Sequence, residues 1–248
     1  GYKGSASGVY QQGVYAKYNL ATAHFYKNDW LNAYASYSYS PRKEFKEDEN
    51  NTRFFAPDET TTSGYRDSYF TRVTKSNPHQ ANVVLDLTAN EQHSFGISAT
   101  VFVSPNKRFD NQALSLNTNR QRQLDSTFTT ASGSTRNTSN IALNASHTFS
   151  LANSETQLVT QANYVAYSAD RAQDVETNYF SPSGLQLRNN NFNTTGSQDS
   201  TIFTGQIDLS APLTSGVLDW GLKISDIKTS SAQDFFDKTE QGVVLNPS

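Results

Sequence analysis

The sequence contains no cysteine among its 248 residues, so it forms neither a disulfide framework nor a thiolate metal site. It contains no methionine, which a chain read from its own translation start would have, and the sequence is expected to be a piece of something longer. Histidine is confined to His24, His79, His93 and His147, no two close enough in sequence for a local metal pair. No apolar run approaches the roughly 20 residues of a transmembrane helix, and no leader is recognisable from Gly1 onward. Charged residues make up only 17%, with a net charge of −3 and a pI near 5.8. That argues against the basic stripe of a nucleic-acid-binding surface. There is no GxSxG, no phosphate loop and no metal-ligand spacing. The chain is therefore read as a non-enzyme without a cofactor, a metal or a nucleic-acid partner.

What is present is unusual in a different way. The hydrophobic fraction is 35% and the mean hydropathy −0.65, yet there are 13 Tyr, 15 Phe and 2 Trp. A disordered chain is poor in aromatics, and a soluble globule of this size carries more aliphatic core. A membrane β-barrel reconciles the two, because it spreads a thin apolar layer over one side of a strand wall and keeps the other side polar.

Residues 81–103 give the clearest pattern. Ala81, Val83, Leu85 and Leu87 alternate with Asn82, Asp86 and Thr88; after a turn at 89–92, Phe95, Ile97, Ala99, Val101 and Val103 alternate with Ser94, Gly96, Ser98 and Thr100. Val84 and Phe102 interrupt the pattern without merging the two faces. Strict period 2 marks a strand with one apolar and one polar surrounding. The same alternation sets Ile141 and Leu143 against Asn144. It sets Phe203, Ile207 and Leu209 against Gln206 and Asp208, and Leu218, Trp220, Leu222 and Ile224 against Asp219 and Lys223. Lipid is expected against the first set, excluding Ala81, Val103 and Trp220, and an aqueous lumen against the second, excluding Ser94 and Gly96. Trp30 and Trp220, each within a few residues of a tight turn, are expected in the aromatic girdles at the bilayer interfaces.

Tight turns centre near Asn28, Asn90, Asn153 and Thr214, at steps of 62, 63 and 61 residues. The intervening units share no sequence pattern, so this is regularity of topology and not a solenoid repeat. The three asparagines are expected to supply the left-handed conformation of a tight turn. Between the turns lie long polar stretches, at 41–63, 104–136, 169–198 and after 224, which read as loops. The cluster Arg42, Lys43, Glu44, Lys46, Glu47, Asp48 and Glu49 falls in the first and reads as a solvated loop. The predicted fold is all-β: an antiparallel up-and-down transmembrane barrel wall of about nine or ten strands, with short periplasmic turns and long extracellular loops. An extracellular all-β adhesin is the alternative, and it requires Leu85, Ile97, Leu209 and Leu222 to pack in a protein core.

Three segments carry a family resemblance. Ile207 to Leu213, ending in Pro-Leu, is followed by Leu218, Asp219, Trp220, Gly221 and Lys223. This resembles a hairpin of the TonB-dependent-receptor-like outer-membrane barrels of Bacteroidetes, in which a Leu-Glu-x-Gly-x-Lys strand follows; Asp219 stands where those barrels have Glu. Residues 162–167 resemble the tyrosine-bearing strand of that family, and residues 25–40 another of its hairpins. The resemblance implies an importer with a plug domain, a TonB-contacting segment and more strands, and makes residues 1–248 the middle of one barrel domain. It implies lipid and lipopolysaccharide around the wall, TonB reached through the plug, and a surface lipoprotein or further outer-membrane subunits as partners. It names no ligand-binding residue. A structural barrel subunit without transport is the other reading.

Overall fold

The computed structural model describes residues 1–57, 60–152, 154–239 and 242–246. Every regular element is a strand: β1 (Tyr2–Gln12), β2 (Ala16–Lys27), β3 (Leu31–Tyr39), β4 (Arg42–Phe55), β5 (Thr62–Ser76), β6 (His79–Thr88), β7 (His93–Asn119), β8 (Leu124–Ser150), β9 (Gln157–Phe180), β10 (Gln186–Leu213), β11 (Gly216–Thr239) and β12 (Gly242–Asn246). All pairings are antiparallel.

The nominal strand order is irregular only because two strands are broken. β3 and β4 are halves of one strand interrupted at Ser40-Pro41, and β5 and β6 are halves of another interrupted at Asn77-Pro78. β7 pairs with β6 through its first half and with β5 through its second. At the junction β7 carries a bulge at Pro105-Asn106, with Asn106 at φ 48° and its N–H bonded to Asn137 Oδ1 at 2.8 Å. Proline has no N–H to give to a ladder and is tolerated in sheets at edges and bulges. Three prolines on three neighbouring strands thus mark one height of the wall. With the halves joined, the twelve segments are ten strands in an up-and-down meander, as the sequence predicts.

The long polar stretches are not loops. β7, β8, β9, β10 and β11 are 24 to 28 residues each and stay paired almost to their far ends. About ten residues cross a bilayer, so more than half of each strand extends past that length. The far turns are short, at 120–123 and 181–185. Asparagine works differently from expectation in the turns. Asn28 Oδ1 accepts the N–H of Leu31 at 2.7 Å, and Asn90 Oδ1 accepts those of Gln92 and His93 at 2.9 Å. Among the described residues only Asn106 and Arg122 are non-glycine with positive φ. The turn asparagines act by capping backbone donors, an Asx turn, and not by a left-handed backbone. Asn153 lies outside the described residues.

The sheet is a single layer. Ala169 is the only buried residue described with an apolar side chain; the buried polar ones are Thr74, Ser76, Ser104, Ser115, Ser134 and Thr177. The register puts all seven on one face, the polar one. Side chains crowd one another on the concave side of a curved sheet, so the wall curves toward its polar face. β1 and β11 do not pair with each other among the described residues, and both leave open edges.

One close approach is fixed by glycine. A Cβ on Gly64 would stand 2.7 Å from the carbonyl oxygen of Thr118 on β7, a backbone atom that moves only with its ladder. Gly64→Ala is expected to destabilise the folded full-length protein by about 1–3 kcal/mol, read by urea titration in lipid. Gly133→Ala meets open space and should stay within about 0.5 kcal/mol; equal effects at both positions would refute the steric account.

Candidate functional site

Register carries the two faces across the whole wall. One rung of the apolar face runs Tyr26, Ala33, Leu85, Ile97, Ala145, Ala162, Gly205, Ile224. The sequence-predicted positions Val83, Leu85, Leu87, Phe95, Ile97, Ala99, Val101, Ile141, Leu143, Phe203, Ile207, Leu209, Leu218, Leu222 and Ile224 all fall on this face, and Trp220 with them opposite Leu209. They form no protein core: Ile97 is 47% exposed and Leu222 55%. Trp30 stands in the turn before β3, its carbonyl accepting the N–H of Thr88.

The apolar stretch drifts as it crosses the wall. Ile224, the last apolar residue of that stretch on β11, shares its rung with Tyr26, which lies at the opposite end of the apolar stretch on β2. The offset is about one residue per strand, as expected where a level belt crosses strands inclined by roughly 35–45°.

The predicted polar set, Asn82, Asp86, Thr88, Ser98, Thr100, Asn144, Gln206, Asp208, Asp219 and Lys223, lies together on the opposite, concave face. Its side chains bond across strands. Asn144 Nδ2 donates to Ser98 Oγ at 3.0 Å, Asn163 Nδ2 to Thr204 Oγ1 at 3.0 Å, and Asn32 Nδ2 to Asp86 Oδ2 at 3.2 Å. Gln206 Nε2 donates to Asp208 Oδ2 at 2.8 Å. Gly96 and Gly221 make room for this layer. A Cβ on either would meet Ser146 Oγ at 2.6 Å or Asp208 Oδ1 at 2.5 Å.

Above the proline line the concave face changes character. Arg66 Nε donates to Asn117 Oδ1 at 2.8 Å, and Asn117 Nδ2 to Ser126 Oγ at 3.0 Å. Six residues along each strand the relay recurs: Arg72 Nε to Asn111 Oδ1 at 2.7 Å, and Asn111 Nδ2 to Ser132 Oγ at 3.0 Å. Each guanidinium lies between two rings, Arg66 by Phe54 and Phe128 at 5.2 and 5.3 Å, Arg72 by Phe70 and Phe109 at 5.1 and 5.7 Å. These are cation–π distances. The asparagine and the rings hold each arginine in place.

Lower on the same face, Lys107, Arg136 and Arg171 stand directly opposite one another on β7, β8 and β9. Like charges facing across strands repel, and among the described residues no carboxylate is bonded to any of the three. Arg136 Nη2 donates to Tyr167 Oη at 2.9 Å and Arg171 Nη2 to Gln173 Oε1 at 2.5 Å. Arg136, Arg171, Gln173, Phe192 and Phe235 line a concavity of about 500 Å³.

Charge is thus sorted by face. In the upper wall the register puts Arg42, Lys46, Arg66, Arg72, Lys107, Arg136, Arg171 and Arg188 on the concave face, against Glu44, Asp48 and Asp237. The convex face carries Glu47, Glu49, Asp67, Asp110, Asp170, Asp174, Glu176, Asp199, Asp226 and Asp234, against Lys43, Arg53, Lys75, Arg108, Lys228 and Lys238. Sequence reading missed Arg42, Lys46, Lys107, Arg136, Arg171 and Arg188 because they fall in stretches taken for loops, and Arg66 and Arg72 because the strand that holds them carries no hydropathy period. The available signal was period-2 spacing: Arg66, Ser68, Phe70, Arg72 and Thr74 alternate with other residues over one strand.

The histidines form a pair that their sequence separation hides. His93 Nδ1 and His147 Nε2 lie 3.0 Å apart with stacked rings on the apolar face. Among the described residues no group of three metal-ligating side chains gathers anywhere.

No curated protein matches the chain. A family model described as the outer membrane protein β-barrel family matches residues 150–248, which take in β9, β10, β11 and β12. With the antiparallel meander and its inclined apolar belt, that match gives an all-β, up-and-down barrel fold located in the bacterial outer membrane.

Proposed function

We propose that this chain is part of the barrel wall of a TonB-dependent-receptor-like importer, with the convex apolar belt against lipid and the concave face lining the lumen. The sorting of charge supports the reading most directly. A wall that only sealed a membrane has no use for fixed, ring-flanked arginines on the concave side of a long extramembrane extension. Such a surface draws an anionic ligand toward the lumen. The residues of this chain act by position and not by catalysis. Energy reaches the lumen through TonB and the plug that the resemblance implies. Lipid, lipopolysaccharide and a surface lipoprotein or further outer-membrane subunits are the partners. A structural barrel subunit is the second reading, favoured by the open flank of β4, where residues 43–55 have, among the described residues, a neighbouring strand on one side only.

Residues 1–248 hold no cysteine, so a single cysteine placed among them is the sole label site in full-length protein from which any cysteine outside this stretch has been removed. In liposomes, Ile97→Cys and Leu143→Cys should react with a lipid-soluble maleimide and resist a charged one; Ser98→Cys and Asn144→Cys should show the reverse preference. Equal labelling by the charged reagent at all four sites would overturn the assignment of faces. Transport is tested separately. The full-length receptor should bind the periplasmic domain of TonB, and failure to bind it would favour the structural reading.

A further inference from the structure

On the convex face, Lys43, Lys75 and Arg108 stand directly opposite one another on β4, β5 and β7, the densest group of cations on a face otherwise dominated by carboxylates. The Lys75 side chain has no hydrogen-bond or ionic partner among the described residues. Lys43 Nζ lies 3.6 Å from the centre of the Tyr15 ring, and Arg108 Nε 3.1 Å from Asp110 Oδ1, the one carboxylate bonded to the row among the described residues. Three cations facing each other on adjacent strands repel unless an anion lies between them.

Their height gives them a purpose. On these strands the apolar belt ends at the rung Tyr39, His79, Val103, where the Tyr39 and His79 rings stack at 4.7 Å. The cationic row stands four residues farther along β3–β4 and β5–β6, about 13 Å along the strand at roughly 3.3 Å per residue, or about 10 Å along the membrane normal once tilt is allowed for. The polar layer over the hydrocarbon is about 5–7 Å deep on each side, and lysine and arginine stems reach down into such a layer.

We propose that Lys43, Lys75 and Arg108 bind the phosphate of an outer-leaflet lipid headgroup. The proposal deepens the function given above and rests on its assignment of the convex face to lipid. The acidic remainder of that face repels phosphate, so the row fixes where a phosphorylated lipid docks around the wall.

The full-length protein, purified in mild detergent and loaded with bisphosphorylated lipid A, tests this by native mass spectrometry. The wild-type protein should retain lipid A through detergent exchange. Lys43→Gln/Lys75→Gln/Arg108→Gln should retain at least tenfold less, and lipid A stripped of both phosphates should be lost equally from both proteins. Lys43→Arg/Lys75→Arg should retain as the wild type does. Lys3→Gln on the concave face of β1 should have no effect, and a heat-dependent gel shift reports that each variant is folded. Undiminished retention by the folded triple variant, or equal retention of the dephosphorylated lipid by wild type, would overturn the proposal. If Ile97→Cys proves water-accessible, the assignment of faces fails instead; if it is lipid-exposed and retention is unchanged, only this site fails.

Discussion

Arginine at Leu85 or Ile97 is expected to cost the folded protein about 2–4 kcal/mol in a bilayer refolding assay. The two residues face each other on β6 and β7, one rung from the middle of the belt. Their rung continues through Ala145, Ala162 and Gly205. Those neighbours offer no carboxylate to pair with a guanidinium and no bulk to cover it. The new cation must reach a headgroup layer or carry water inward, and either route costs energy that leucine and isoleucine do not. Leu85→Arg/Ile97→Arg should exceed the sum of the single effects, because the two charges then face each other across strands. Ser98→Arg, one residue along on the concave face and beside Asn144, should stay within about 1 kcal/mol. Indifference of the bilayer-inserted protein to Arg at Ile97 would contradict the lipid assignment, and a large loss at Ser98 would contradict the aqueous one.

Replacing Lys46, Glu47, Asp48 and Glu49 together by threonine should convert detergent-solubilised full-length protein from a dispersed species into edge-paired oligomers, read by light scattering. Threonine keeps strand propensity, so β4 itself should persist. β4 meets β2 only at Lys17 and Arg42, while its other side is paired with β5 throughout. Among the described residues nothing pairs with the outer edge of residues 43–55, which presents a ladder of N–H and C=O groups, the template on which other strands add. The charges along this strand are the defence, since a second copy laid antiparallel meets a dense row of ions that it must desolvate or repel. The base of the edge is held separately, by Lys17 Nζ to Glu44 Oε1 at 3.1 Å and by Lys43 over Tyr15. Glu44 and Lys43 are unchanged in the variant. Unaltered dispersion would show that other parts of the protein cover the flank.

The sequence announces the lower half of the wall and conceals the upper half, for one physical reason. A strand between an apolar and a polar medium writes period 2 in hydropathy, which is why Phe95 through Val103 can be assigned to a face without coordinates. A strand with water on both sides writes no such period. Thr177 on β9 is buried against Thr130 with their hydroxyls 3.0 Å apart, yet its surroundings in sequence, with Glu176 and Asn178 beside it, read as solvated loop. There the pattern is in β-branched and aromatic content, and in charge sign by parity, a weaker signal than hydropathy. The charged cluster from Arg42 to Glu49 misleads for the related reason that charge serves as edge protection as well as loop solvation. The turns were legible in position, but Asn28 and Asn90 work through their side-chain oxygens. The meeting of His93 and His147, 54 residues apart, depends on the register between β7 and β8, which no local pattern encodes.

The slow drift of the apolar stretch has a consequence for how substitutions at the membrane should be compared. Residues on one rung are hydrogen-bonded neighbours but not equals in depth: contour lines of equal depth run diagonally through the ladder. Ile224 and Ala33 share a rung, yet Ile224 lies next to the end of the belt where Asp226 begins the ionic surface, and Ala33 lies near the opposite margin. A scan of arginine along that rung should therefore trace a hill, low at both ends and highest around Ile97 and Ala145. The slope of that hill would measure the inclination of the strands from energies alone.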